Sequence, residues 1–197
     1  MLKRKKMKNF LIALIIILIP VKSFGLIEVD ITRGNLNPLP VAVSPLSIDE
    51  DSRKNFENIL KKKNIGSEIS LIVENNLRVS GLFNPLNKDA FLQEPDIANL
   101  KPRFEDWNLI KAQALITGKV SYVEEKLRVE FRLWDVLAGK EMMALAFTTV
   151  PNNWRRVGHI ITDKVYERLT GERGYFDTRI IYVAEEGPKT QRVKKLA

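Results

Sequence analysis

Two periodicities divide most of this chain between them. Leu127, Val129, Phe131 and Leu133 alternate with Arg128, Glu130 and Arg132. Period two marks a strand with one buried and one wet face. Residues 114–122 and 141–150 flank it as further strand candidates, and the links at 123–126 and 136–140 have hairpin length. The three predict an antiparallel meander. Helical spacing appears in Ile65, Ile69, Ile72, Val73 and Leu77, with Ser67 as the expected N-cap and Gly81 just past the end. It appears again in Val157, Ile161, Val165 and Leu169, with Trp154 and Ile160 beside them. Asn152 or Asn153 is placed to cap this second helix, and Gly171 to end it.

Weaker signals fill the gaps. Residues 41–43 read as a short buried strand before Ser44-Pro45. Residues 49–63 are heavily charged but carry Phe56, Ile59 and Leu60 at helical spacing, which predicts a surface helix or an ordered loop. An extended segment is expected over 82–86. Pro95 and Pro102 make 87–103 read as a loop. A short helix over 105–113 should turn Trp107 and Ile110 inward. Gly118, Gly139 and Gly174 read as isolated turn or cap residues. Strand patterns recur at 179–184 and 192–197, around a turn at 185–190. The sum predicts an α+β fold: a two-layer domain, its mostly antiparallel mixed sheet packed by two or three helices.

The N-terminus changes the charge picture. Lys3, Arg4, Lys5, Lys6 and Lys8 precede an unbroken apolar run from Phe10 to Ile19, then Pro20 and the small residues Ser23 and Gly25. This is the layout of a secretory signal peptide over residues 1–25. An apolar helix of that length spans roughly 15 Å, half of what a bilayer core requires. Six basic residues and no acidic one lie in it, so the net charge falls from +8 to +2 on removal. The basic character therefore belongs to the leader and gives no reason to expect nucleic acid as a partner. The chain has no cysteine. That excludes disulfides, thiol catalysis, thiolate zinc sites and lipidation at a cysteine, and predicts a soluble periplasmic protein.

Directly behind the expected cleavage point stand Leu26, Ile27, Glu28, Val29, Asp30, Ile31 and Thr32. Ile27, Val29 and Ile31 point one way; Glu28 and Asp30 point the other. Gly34, Asn35, Asn37, Pro38 and Pro40 follow as a tether, so residues 26–40 form a strand-competent tag on a leash. Such a tag can add to the open edge of a partner's sheet or pair with the protein's own, and the pattern alone does not choose.

Catalytic chemistry is hard to assemble. His159 is the single histidine and sits among core positions of the last helix, where a packed, hydrogen-bonded role is expected. The carboxylates come as Asp49-Glu50-Asp51, Glu124-Glu125 and Glu185-Glu186. Neighbouring residues diverge on any regular element, so none makes an acid/base pair. No glycine-rich phosphate loop and no calcium-loop spacing occurs. Lys61-Lys62-Lys63 and Arg155-Arg156 lack the interleaved aromatics of a nucleic-acid platform. No catalytic residue, cofactor or metal ligand is expected.

Several stretches carry a family resemblance. They are Ser80-Gly81-Leu82-Phe83-Asn84-Pro85, Arg103-Phe104-Glu105-Asp106-Trp107, Ala112-Gln113-Ala114-Leu115-Ile116-Thr117-Gly118 and Phe131-Arg132-Leu133-Trp134-Asp135. The longest runs from Gly158-His159-Ile160-Ile161 through Thr170-Gly171, followed by Gly174-Tyr175-Phe176-Asp177-Thr178-Arg179. In order and spacing these resemble the TolB family of the Tol-Pal envelope system, its alphaproteobacterial branch in particular.

The resemblance implies an N-terminal α/β domain over 41–171, then a linker and the first blade of a β-propeller starting within 172–197, where the sequence stops. It implies that residues 26–32 bind the C-terminal domain of TolA and that a propeller, absent from this sequence, binds Pal. The implied role is non-catalytic: outer-membrane integrity, envelope constriction in cell division and, in some bacteria, import of colicins and phage. The alternative from the residues alone is a periplasmic enzyme, or enzyme accessory, working with carboxylates.

Overall fold

The computed structural model describes residues 37–178, 183–188 and 191–196. The expected signal peptide, the tag at 26–32 and most of its tether lie outside these residues.

The described chain begins in β1 (Leu39–Val43), which enters the middle of a sheet rather than its edge. A corner at Ser44-Pro45-Leu46 leads to the short β2 (Ser47–Ile48). Two helices follow, α1 (Glu50–Leu60) and α2 (Ile65–Val79), and return the chain to β3 (Phe83–Pro85). Helices α3 (Pro95–Leu100) and α4 (Phe104–Leu109) lead to the meander β4 (Ala114–Val123), β5 (Lys126–Asp135) and β6 (Lys140–Thr149). The long α5 (Trp154–Thr170) comes next, and β7 (Val183–Glu186) with β8 (Val193–Leu196) makes a separate two-stranded sheet.

The main sheet has six strands, in the order β3-β1-β4-β5-β6, with β2 paired to β4 alongside β1. β1 runs parallel to both β3 and β4, pairing Val41 with Pro85 and Val43 with Ile116. β4 and β5 are antiparallel from Ala114↔Asp135 to Val123↔Lys126, and β6 is antiparallel to β5. A parallel pair needs a crossover. The α1–α2 unit supplies it between β1 and β3, and the 3-10 turn at Lys88–Ala90 with α3 and α4 supplies it between β3 and β4.

One face of the sheet carries the main core. Val41 and Val43, Ile116 and Val120, Leu127 through Leu133 at alternate positions, the α2 stripe and the α5 stripe meet there. Phe56 brings α1 onto the same face, edge-on to Tyr122 with ring centroids 5.4 Å apart. The opposite face is covered at one end by a smaller cluster of Ala42, Leu115, Ala98, Trp107, Ala112 and Val136. The buried Gln93 is bonded to it through Trp107. The Gln93 amide donates to the Lys101 carbonyl at 2.9 Å, and its oxygen accepts from the Arg103 N–H and the Trp107 indole, each at 3.0 Å. One side chain thus joins the end of α3 to the start of α4, two short helices that have little periodicity of their own.

Three local readings change. The segment 87–103 contains a helix, because Pro95 occupies its first turn, where the missing N–H is not needed. The cap of α2 is Asn64 and not Ser67: the Asn64 side chain accepts from the Ser67 N–H at 3.2 Å, so the helix starts at Ile65, the first residue of its apolar stripe. Gly118 is no turn residue. It lies in mid-strand, where a Cβ would meet the Leu46 side chain at 2.8 Å and the Glu130 carbonyl. Gly66, in the first turn of α2, would drive a Cβ into the Leu46 carbonyl. The Ser70 hydroxyl completes the joint: it accepts from the Leu46 N–H at 2.9 Å and faces the Ser44 carbonyl at 3.0 Å.

Two predictions concern this frame. Gly66→Ala forces α2 away from the corner and should cost about 2–4 kcal/mol, while Ser70→Ala leaves the buried Leu46 N–H unpaired at about 1–3 kcal/mol. Urea denaturation of both variants checks this; wild-type midpoints would refute the tight joint. Glu74 reports through pH. Burial pushes its carboxyl up, but hydrogen bonds from Arg78 and Lys88 overcome this and hold it below the usual value of 4.5. A depressed carboxylate stabilises fully above its unfolded pKa and loses that contribution as pH falls through the folded value. Glu74→Gln should melt lower than wild type at pH 7, by roughly 0.5–1 kcal/mol, and converge with it in acid. A constant gap in melting temperature down to pH 3 would contradict this.

Candidate partner-binding surfaces

The residues expected to bind a partner, 26–32, fall outside the described residues. What the structure does fix is where they join. Leu39 donates its N–H to the Leu82 carbonyl at 2.9 Å, so the chain enters β1 beside the start of β3. By register, the start of β4, the end of β5 and the start of β6 lie at this same end of the sheet.

His159 is held between helices. Its Nδ1 lies 2.9 Å from Asn76 Nδ2, which also donates to Thr162 Oγ1 at 3.1 Å. Thr162 in turn donates to the Gly158 carbonyl at 2.8 Å. An amide NH2 can only donate, so this Nδ1 accepts and the ring serves as a polar link from α5 to α2. At Gly158 the two helices approach so closely that a Cβ would meet Ile72 at 2.9 Å. The carboxylate runs also have structural work. Asp49 caps α1, and the Ser52 N–H it accepts at 2.8 Å holds its carboxyl below the ordinary range. Glu185 and Glu186 pair with Arg192, Lys194 and Lys195 across the β7–β8 hairpin. Among the described residues, no group of three His, Asp or Glu side chains stands ready to hold a metal, and no helix is long and apolar enough to cross a membrane.

Asp163 takes an unexpected part. Its two carboxylate oxygens accept from the Phe176 N–H at 2.7 Å and the Asp177 N–H at 3.1 Å. Gly174 presses on the Asp163 backbone where no Cβ would fit. Arg156 closes on Asp177 at 3.1 Å, and Tyr175, Phe176 and Tyr166 pack ring against ring. A strap read as a linker is thus held along α5.

The other surface of note is the β6 side of the sheet. On the wet face Arg128, Glu130 and Arg132 stand opposite Thr148, Ala146 and Ala144. Arg128 pairs with Glu130 at 2.8 Å and Arg132 with Glu141 at 3.3 Å. The short side chains of β6 leave a shallow depression of about 200 Å³ beside the two arginines. The period-two signal that could have found it, short residues alternating with Met143, Leu145 and Phe147, is present in the sequence.

Comparison with known proteins agrees with this architecture. A family model described as the TolB amino-terminal domain matches residues 27–142. The chain is 83% identical over 184 residues to the Tol-Pal system protein TolB of Pelagibacter ubique (strain HTCC1062), covering 93% of this chain and 41% of that protein. The chain thus spans under half the length of this curated relative. The crystal structure of TolB from Acinetobacter baumannii superposes with a TM-score of 0.56 at 24% identity, over 75% of this chain and 32% of that one, and so supports the fold.

The His159 geometry yields a test. His159→Ala removes one of Asn76's two acceptors at the α2–α5 contact and should lower stability by about 1–2 kcal/mol. Thermal melts read the loss, and partner binding by the folded fraction should stay at the wild-type level. Lost binding with an unchanged melting temperature would reverse the assignment.

Proposed function

The chain belongs to the TolB family through its amino-terminal domain, and from that premise we propose that it is a periplasmic, non-catalytic protein-binding component of a Tol-Pal envelope complex. Residues 26–32 are the strand that binds the C-terminal domain of TolA. The wider role is support of outer-membrane integrity and of envelope constriction during division. Contact with Pal belongs to a propeller, which residues 1–197 do not include.

The observation that carries this reading is the alternation of Ile27, Val29 and Ile31 with Glu28 and Asp30, ahead of a tether rich in Gly, Asn and Pro. Two further facts support it. The family match begins at residue 27, inside that strand pattern. In addition, β1 is already flanked by β3 and β4, so a strand arriving through the tether has no room beside β1. Secretion and cleavage after Gly25 would leave the tag at a free chain end, able to reach a partner's sheet edge. Main-chain bonds would supply affinity, and the three apolar side chains would set the register.

Substitutions in the tag test the proposal. Ile31→Pro deletes an N–H and restricts the residue before it; Val29→Asp places a charge on the apolar face. Each should weaken binding of the isolated TolA C-terminal domain by about 1–3 kcal/mol without moving the domain's melting temperature. A chain starting at Arg33 that bound TolA with full affinity would sink the proposal.

A further inference from the structure

We propose that the outer edge of β6 receives an extended segment of a partner protein, one that alternates apolar with polar residues and carries acidic residues four apart. β6 is the last strand of the main sheet, and among the described residues no strand pairs with its outer side. Natural edges are usually blocked by charge, proline, shortness or a bulge. β6 is ten residues long, and from Met142 to Thr149 it has no charged residue and no proline. A bulge does occur, between Leu133 and Trp134 of the neighbouring ladder, but it affects only the beginning of the strand. There Met142 falls out of register and its carbonyl accepts from Arg168 at 3.3 Å. From Met143 to Thr149 the pairing with β5 is unbroken, so the outward N–H and C=O groups of this stretch present a regular template.

The two faces of that template specify different side chains. On the core side, Met143, Leu145 and Phe147 extend the row of Leu133, Phe131 and Val129, and Phe147 stacks on Phe131. Leu145 keeps 37% of its surface exposed, so the row ends unfinished at the edge. Apolar residues of an added strand would complete it. On the wet side, Ala144, Ala146 and Thr148 are too short to cover what lies behind them. A longer side chain from beyond β6 passes over Ala144 towards Arg132, over Ala146 towards Glu130 and over Thr148 towards Arg128. Each arginine uses one carboxylate partner and keeps further N–H donors for a second. The depression between them holds the incoming head groups. Acids therefore belong opposite Ala144 and Thr148, with a neutral residue opposite Ala146, where Glu130 repels a third acid. Residues 26–32 carry acids at consecutive polar positions, Glu28 and Asp30, and match this pattern less well.

The probe is a fluorescein-labelled, end-blocked peptide of sequence Val-Glu-Val-Thr-Val-Glu-Val, titrated with the full chain and followed by anisotropy. Saturable binding is expected, at least tenfold weaker for the peptide with both glutamates replaced by lysine. The double variant Ala144→Glu/Thr148→Glu should weaken binding of the acidic peptide at least tenfold and that of the lysine peptide much less. Both positions are exposed, so its melting temperature should match wild type. Peptide-induced slowing of hydrogen exchange over 143–149 would place the strand on this edge. No binding, equal affinity for both peptides, or indifference to the double variant would overturn the proposal. So would tighter binding to a chain starting at Arg33, which would give the edge to residues 26–32. Dimerisation abolished by the double variant would give it to a second copy.

Discussion

Everything in the main layer hangs on how closely one corner of backbone is gripped. Ser44-Pro45-Leu46 interrupts the strand line beside β4, and the sheet tolerates the interruption because two glycines leave room for it. Gly66 lets the first turn of α2 lie against the Leu46 carbonyl; Gly118 lets the Leu46 side chain press on β4. A corner cut into a sheet frees backbone polar groups, and burying them unpaired costs a few kcal/mol each. The Ser70 hydroxyl meets two of them, the Leu46 N–H and the Ser44 carbonyl, and the Ser44 N–H reaches the Ile116 carbonyl at 3.0 Å. The position of α2 follows from this grip, and the position of α5 from α2, through Gly158 against Ile72 and the Asn76–His159 link.

That chain of dependence sets the layout of the surfaces. Because β1 sits between β3 and β4, the N-terminal tether leaves from the interior of the sheet and not from an edge. Because α5 crosses to β5 and β6, it covers their core face and leaves the far edge of β6 uncovered by any described strand. The proposed strand donor, the N-terminal tag, and the proposed strand acceptor, the β6 edge, therefore lie on different parts of the sheet's path.

The strong periodicities carried most of the architecture. Leu127 to Leu133 and the Val157 to Leu169 stripe describe β5 and α5 because each packs through one face against the main core, where burial and repeat coincide. What stayed hidden was built from non-local partners. The helix at Pro95–Leu100 depends on Gln93 meeting groups up to fourteen residues away, and no local period records that. Gly118 and Gly174 read as turns because a glycine's commonest use is conformational, whereas both are needed for close approach, to Leu46 and to Asp163. Of the candidate surfaces, the tag rests on its alternation alone, because residues 26–32 lie outside the described residues. The β6 edge was not legible, since a strand pattern does not say which strand lies outermost.

The strap at 174–177 shows why the far end of the described domain is as firmly placed as its start. Asp163 sits at the middle of α5, and its carboxylate is fixed by two backbone N–H groups that arrive from thirteen and fourteen residues later. Charge-assisted bonds of this kind to a helix residue transmit that helix's position to the chain they hold. Arg156, two turns earlier on α5, grips Asp177 and keeps the strap running back along the helix instead of away from it. Phe176 adds an apolar contact with the main core. The strap through Asp177 is therefore placed by α5, α5 by α2 through Gly158 and the Asn76–His159 link, and α2 by the Leu46 corner.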